Sequence, residues 1–165
     1  MKQVSRREVE KAFEKVAKAQ PRALSKLIES MAKEQPNICA YLLDSAQEDE
    51  LNNNEESFLL FLAAVIWQAM SYGPSPEISD DVVDLVIEEQ GKLEEYIERE
   101  QQTGFSFTSS IIMDSYHQKE ALDVITGAVL DLEELGKIRH DSGTAMMLHL
   151  MTTISCFDRQ PEVQA

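Results

Sequence analysis

The chain has 165 residues, 43% of them apolar, and 30 acidic against 15 basic residues give a formal charge of −15. That length and apolar share suit one domain around a single core and exclude wholesale disorder. Two cysteines, Cys39 and Cys156, exclude a disulfide framework or a cysteine zinc site, and the longest apolar run, residues 58–67, is half the ~20 residues of a membrane span. The N-terminal Met1-Lys2-Gln3-Val4-Ser5-Arg6-Arg7 leads into alternating charge, not an apolar stretch. The expectation is no secretory signal, reduced thiols and a cytoplasmic protein.

Ser5-Arg6-Arg7-Glu8 matches a capping box, in which a Ser hydroxyl and a Glu carboxylate satisfy orphan amides of a new helix. Val9, Ala12, Phe13, Val16 and Ala17 follow at helical spacing, so the first helix is expected from about Arg6 to Ala19. Pro21 lacks an amide hydrogen and fits the opening turn of a second helix, with Leu24, Leu27, Ile28 and Met31 inward. Pro36 opens a third, with Ile38, Cys39, Leu42 and Leu43 inward. Gln20-Pro21 and Gln35-Pro36 head stretches that align Leu27-Ile28-Glu29-Ser30 with Leu42-Leu43-Asp44-Ser45. Each stretch holds one helix, too little for a solenoid unit, so the pair reads as two short helices entered through proline.

The polar run 48–56 reads as a loop, with Asn54 capping the next helix and Glu55 and Glu56 favourable in its first turn. Phe58 through Met70 is apolar nearly all round, which predicts a central helix over 58–72 covered by its neighbours. Gly73-Pro74-Ser75-Pro76 ends it and makes 73–78 the candidate hinge between two helical halves. Ser79 with Asp80 and Asp81 opens a fifth helix, carried by Val82, Val83, Val86, Leu93 and Ile97 to about Gln102, where Thr103-Gly104 stops it. From Thr108 a long pattern puts Ile111, Leu122, Ile125, Val129 and Leu132 on one face, with a kink or break at Gln118-Lys119 and a stop at Gly136. Ser142 is expected to cap a last helix with Met146, Met147, Leu150, Met151 and Ile154 inward. No strand pattern bounded by turn residues is present. The expected fold is all-α, an irregular bundle of six to eight helices in a single domain over 1–165.

Charge is unevenly spread. Residues 1–34 hold nine basic and five acidic residues, a net of +4, which leaves −19 for the remainder. Between Lys33 and Lys92 there is no Lys or Arg, against thirteen acids. Either the basic first helix lies against the acidic body, in the same molecule or in a partner subunit, or one of the two surfaces serves an outside partner. In the second case the acidic face meets a basic protein, or Arg6, Arg7, Lys11, Lys15 and Lys18 meet an anionic surface. The bland alternative is a solvated acidic face that keeps the chain soluble. Asp80, Asp84 and Glu88 recur at i, i+4, where like charges cost a helix ~0.2–0.5 kcal/mol per pair. A charge of −15 repels phosphate, so nucleic acid is not an expected partner.

The sequence has no glycine-rich phosphate loop, nucleophile elbow or His-Glu-x-x-His. It does have carboxylates at helical spacing: Glu94-Glu95-Tyr96-Ile97-Glu98 and, after 21 residues, Glu120-Ala121-Leu122-Asp123. Such spacings put acids on one side of a helix, and hard oxygens in facing pairs suit Mg²⁺. The order EExxE then ExxD resembles the MazG-type all-helical nucleotide pyrophosphohydrolases over residues 85–136. The resemblance implies a Mg²⁺-dependent nucleoside triphosphate pyrophosphohydrolase with Glu94, Glu95, Glu98, Glu120 and Asp123 as its catalytic carboxylates. A second frame, Glu88-Glu89-Gln90-Gly91-Lys92-Leu93, puts Lys92 where that family's third acid belongs.

Asp114, His117 and Glu120 would share one helix, without the second Glu-x-x-His that a di-metal bundle needs, so no metal site is expected. His149 among Met146, Met147 and Met151 reads as core packing in preference to a soft-metal site. Cys39 and Cys156 read as buried inert thiols, and Phe58, Trp67 and Tyr72 as core. The expected function is a non-enzymatic acidic interaction module that binds a protein or a second copy of itself, with Arg6, Arg7, Lys11, Lys15 and Lys18 as partner-binding residues and no cofactor. The alternative is the MazG-like enzyme, which alone calls for Mg²⁺.

Overall fold

The computed structural model describes residues 3–70, 77–101 and 116–159, apart from the side chains of Leu93 and of 96–101. Among the described residues there are seven α-helices and no strand: α1 (Arg6–Ala17), α2 (Pro21–Glu34), α3 (Pro36–Glu48), α4 (Asn53–Met70), α5 (Asp80–Gln101), α6 (Lys119–Glu134) and α7 (His140–Asp158). The all-α bundle expected from the sequence is the fold. No helix among the described residues is long and apolar enough to cross a membrane.

α4 is the axis. Residues 62–67 are buried without interruption, because an element apolar all round has no face to give to water. α1, α2, α3 and α7 pack around it, α5 lies on α3 and α7, and α6 lies on α1 and α7. α1 starts where the sequence placed it: Glu8 N–H donates to Ser5 Oγ (3.2 Å) and Ser5 N–H to Glu8 Oε2 (2.7 Å). It seats Val9, Ala12 and Val16, but ends at Ala17, which is exposed, two residues before the expected boundary. Leu43 is also outside the core at 44% exposure, since Ile38, Cys39, Leu42 and Ala46 already define the inner face of α3.

Two expected caps are displaced. Asn52, not Asn54, opens α4: Glu55 N–H donates to Asn52 Oδ1 (2.9 Å) and Asn52 N–H to Glu55 Oε1 (3.0 Å), a second capping box. α7 begins at His140 with Arg139 as its cap residue, and Ser142 is buried within its first turn. One side chain from another helix, Glu55, reaches that N-terminus and makes a local cap unnecessary. The break at Gln118-Lys119 is present, with Gln118 in a non-helical conformation before α6. The stop at Gly136 is a Schellman motif: Lys137 N–H reaches Leu132 O (2.8 Å), Gly136 N–H reaches Glu133 O (3.0 Å), and Gly136 has φ +71°. The 73–76 punctuation of the candidate hinge, the Thr103-Gly104 stop and the Thr108 start lie outside the described residues, as do Tyr72, Ile111 and Asp114.

Candidate functional site

The basic residues of α1 are partly spent within the molecule. Arg6 pairs with Asp123 of α6 and with Glu10 (3.0 Å), and lies 3.9 Å from Glu120. Lys15 donates to Gln68 of α4 (3.2 Å) and Lys18 stands 3.9 Å from Glu14. Arg7 and Lys11 are exposed, and neither has an ion pair among the described residues. Charge thus helps dock α1 on the acidic body of its own molecule, as one of the two explanations for the asymmetry required.

The carboxylates of the second motif face that same helix. Glu120 and Asp123 look toward the Arg6 guanidinium, while Glu94 and Glu95 are exposed on α5, which packs elsewhere in the bundle. No described contact brings Glu94 or Glu95 to Glu120 or Asp123, and the Glu98 side chain lies outside the described residues. Among the described residues no three His, Cys, Asp or Glu side chains are grouped to hold a metal ion. His117 sits in the turn before α6, not on a helix with Asp114, and its Nδ1 contacts Asp158 (2.7 Å). Phe58 and Phe61 line a small cleft of about 260 Å³ with Phe13, and Trp67 is buried with its Nε1 unpartnered.

What the bundle does assemble is a groove of about 710 Å³ between α3, α5 and α7. Each helix contributes a stripe at helical spacing. α5 gives Asp80, Val83, Asp84, Ile87, Gly91 and Glu94; α3 gives Ala40, Tyr41, Asp44 and Glu48, with Asp49 as the residue that caps its end; α7 gives Asp141, Ala145, Leu148, His149 and Thr152. Seven carboxylates line the groove, with no Lys or Arg among them. Among the carboxylates the lining includes apolar and small residues, with Ala40, Val83, Gly91, Ala145 and Leu148 among them, and Ile87 is still 41% exposed there. Two of the seven have partners among the described residues: the Asp49 carboxylate accepts from His149 Nε2, and Asp141 lies within reach of the Arg139 guanidinium's charge.

The His149 ring is fixed from both sides. Nε2 faces Asp49, so it carries the hydrogen, and Nδ1 then accepts from the Tyr41 hydroxyl (2.9 Å). Burial pushes the Tyr41 phenol up, with hydrogen bonds to Thr152 and Ser45 acting against it, so its proton stays in place. This trio fastens the C-terminal end of α3 to α7 and sets the width of the groove. At the other wall Asn37 Nδ2 donates to Ile78 O (2.9 Å) and Ile78 N–H to Gln35 Oε1 (3.0 Å), which pins the start of α5 against α3. Gln90 leaves a buried Oε1 with no hydrogen-bond partner in the groove lining.

Glu55 anchors the start of α7. That carboxylate is fully buried and accepts from Arg139 Nη2 (2.7 Å), Arg139 N–H (2.9 Å) and Asn52 N–H (3.0 Å). Burial would push Glu55 up, but the guanidinium, the Ser142 hydroxyl and the two amides outweigh it and hold the carboxyl down at about 2.

The groove was foreshadowed in the sequence by the cation-free stretch between Lys33 and Lys92 and by Asp80 and Asp84 at i, i+4. What was missing was the juxtaposition of α3 with α5, which no single-helix pattern encodes. No family model, no curated protein and no solved structure matches the chain.

Proposed function

We propose that the protein is an interaction module that captures a basic segment of a partner protein in the α3/α5/α7 groove. The observation that carries this is a concave surface in which seven carboxylates stand among apolar and small residues with no Lys or Arg in the lining. Acids kept close together with no Lys or Arg in the lining repel one another, so they attract a ligand that brings cations with it. The Arg6 to Lys18 face, the partner site expected from the sequence, is a weaker candidate because Arg6, Lys15 and Lys18 are engaged in their own molecule.

The test is calorimetric titration with an Arg/Lys-rich peptide as probe. Binding is expected, weaker at ~0.3 M than at ~0.05 M salt because the charges are exposed to screening, and at least tenfold weaker for Asp80→Asn/Asp84→Asn. Equal affinity of that double variant, or no binding by the native protein, overturns the proposal.

A further inference from the structure

The groove has the shape of an unfilled helix position, and we infer that its ligand is an amphipathic α-helix with Lys or Arg flanking a narrow apolar face; this rests on the groove being the binding site. Three helices already contact one another around it, each in pairwise contact with the other two. On α5 the lining residues run Asp80, Val83, Asp84, Ile87, Gly91, Glu94. That is the i, i+3, i+4, i+7 pattern by which one helix addresses a parallel or antiparallel neighbour, not the scattered lining of a small-molecule pocket. From Asp80 to Glu94 the stripe extends ~21 Å at ~1.5 Å per residue, the length of a helix of about 14 residues.

The small residues decide how close such a helix comes. Ala40, Gly91 and Ala145 come one from each wall. A Cβ built on Gly91 meets nothing within 4 Å. Helix axes pack 8–10 Å apart, closer where the side chains between them are small, so these three residues leave room for a helix and its apolar stripe. Ile87 and Leu148 supply the apolar contact, and Asp44, Glu48, Asp84 and Glu94 stand to either side for cations at i, i+4. The protein's own basic helix, α1, does not fill the place, because Val9, Ala12 and Val16 hold it on α4 and α6.

Three probes separate charge from shape. The first is a 14-residue peptide with Lys or Arg at i, i+4 and Leu at i+3, i+7. The second is the same composition with a central proline that breaks the helix, and the third is spermine, a cation with no helix. The expected result is that the helical peptide binds, gains helicity by circular dichroism on binding, and outcompetes the proline version at least tenfold. Gly91→Leu, which places a side chain in the open groove and raises helix propensity, is expected to weaken the helical peptide at least tenfold and to leave spermine binding unchanged. If the proline peptide binds as tightly, or Gly91→Leu changes nothing for the helical peptide, the helix inference fails while capture by charge stands. If none of the three probes binds, both fail. A native protein that sediments as a dimer, with the peptide unable to dissociate it or to bind, overturns the inference in favour of a second copy in the groove.

Discussion

Glu55 shows how one carboxylate organises two helices. Its depressed carboxyl means that the folded chain holds the charged form more tightly than the unfolded one does. The stabilisation is therefore complete above the ordinary value of 4.5 and is lost as pH falls toward about 2. Removing the cation exposes the dependence. Arg139→Ala should lower the urea midpoint, and by less than the loss of a fully buried pair would, because Glu55 keeps the amides of Asn52 and Arg139. The same variant should begin acid unfolding at a higher pH than the parent, because a carboxyl without its guanidinium protonates earlier. A urea midpoint no lower than that of a surface control such as Arg7→Ala would contradict this account. Nothing in the local sequence distinguishes Glu55 from Glu56, and only the approach of α7 from 84 residues away makes one of them a structural anion.

Helix ends and glycines carry the information at the next scale. Gly136 sits at φ +71° in the Schellman turn after α6, where a Cβ is strained, so Gly136→Ala should cost about 1 kcal/mol in a thermal or urea melt. Gly127 lies within α6 with open space around its Cβ position, so Gly127→Ala should instead stabilise by about 0.5–1 kcal/mol. If the two substitutions move stability in the same direction, the assignment of their roles is wrong. The sequence revealed what depends on neighbours along the chain: the Ser5 capping box, the Pro21 and Pro36 entries, the Gly136 stop, the apolar axis α4. It misplaced the starts of α4 and α7, and for one reason. Asn54 and Ser142 have the chemistry of caps, but Glu55 answers to both Asn52 and Arg139 and so shifts each start. The exposure of Leu43 was equally hidden, since which apolar residues of a short helix face inward depends on where its neighbours lie.

At the scale of the whole molecule the excess negative charge is concentrated, not spread. Asp84 has an acid four residues away on each side, Asp80 and Glu88, so it repels twice along its own helix. Asp84→Lys turns both repulsions into attractions. It should stabilise the fold by about 1 kcal/mol, or about 2–4 °C in melting temperature, while weakening capture of the cationic peptide at least tenfold. A substitution that helps the fold and harms binding is the signature expected where stability has been given up for recognition. If Asp84→Lys lowers the melting temperature, the groove acids do not repel as described; if peptide affinity is unchanged, Asp84 does not serve the ligand.

Cys39 and Cys156 offer a further use. Both are buried, and burial pushes their thiols up to about 11 and about 12. Since the thiolate is the reacting form, both stay silent toward a maleimide dye in the folded protein near neutral pH. A cysteine introduced at an open position such as Gly91 would then be the sole labelling site, and a fluorophore there would report occupancy of the groove directly. The slow labelling of the two native thiols, followed over hours, would time the spontaneous opening of α3 and α7.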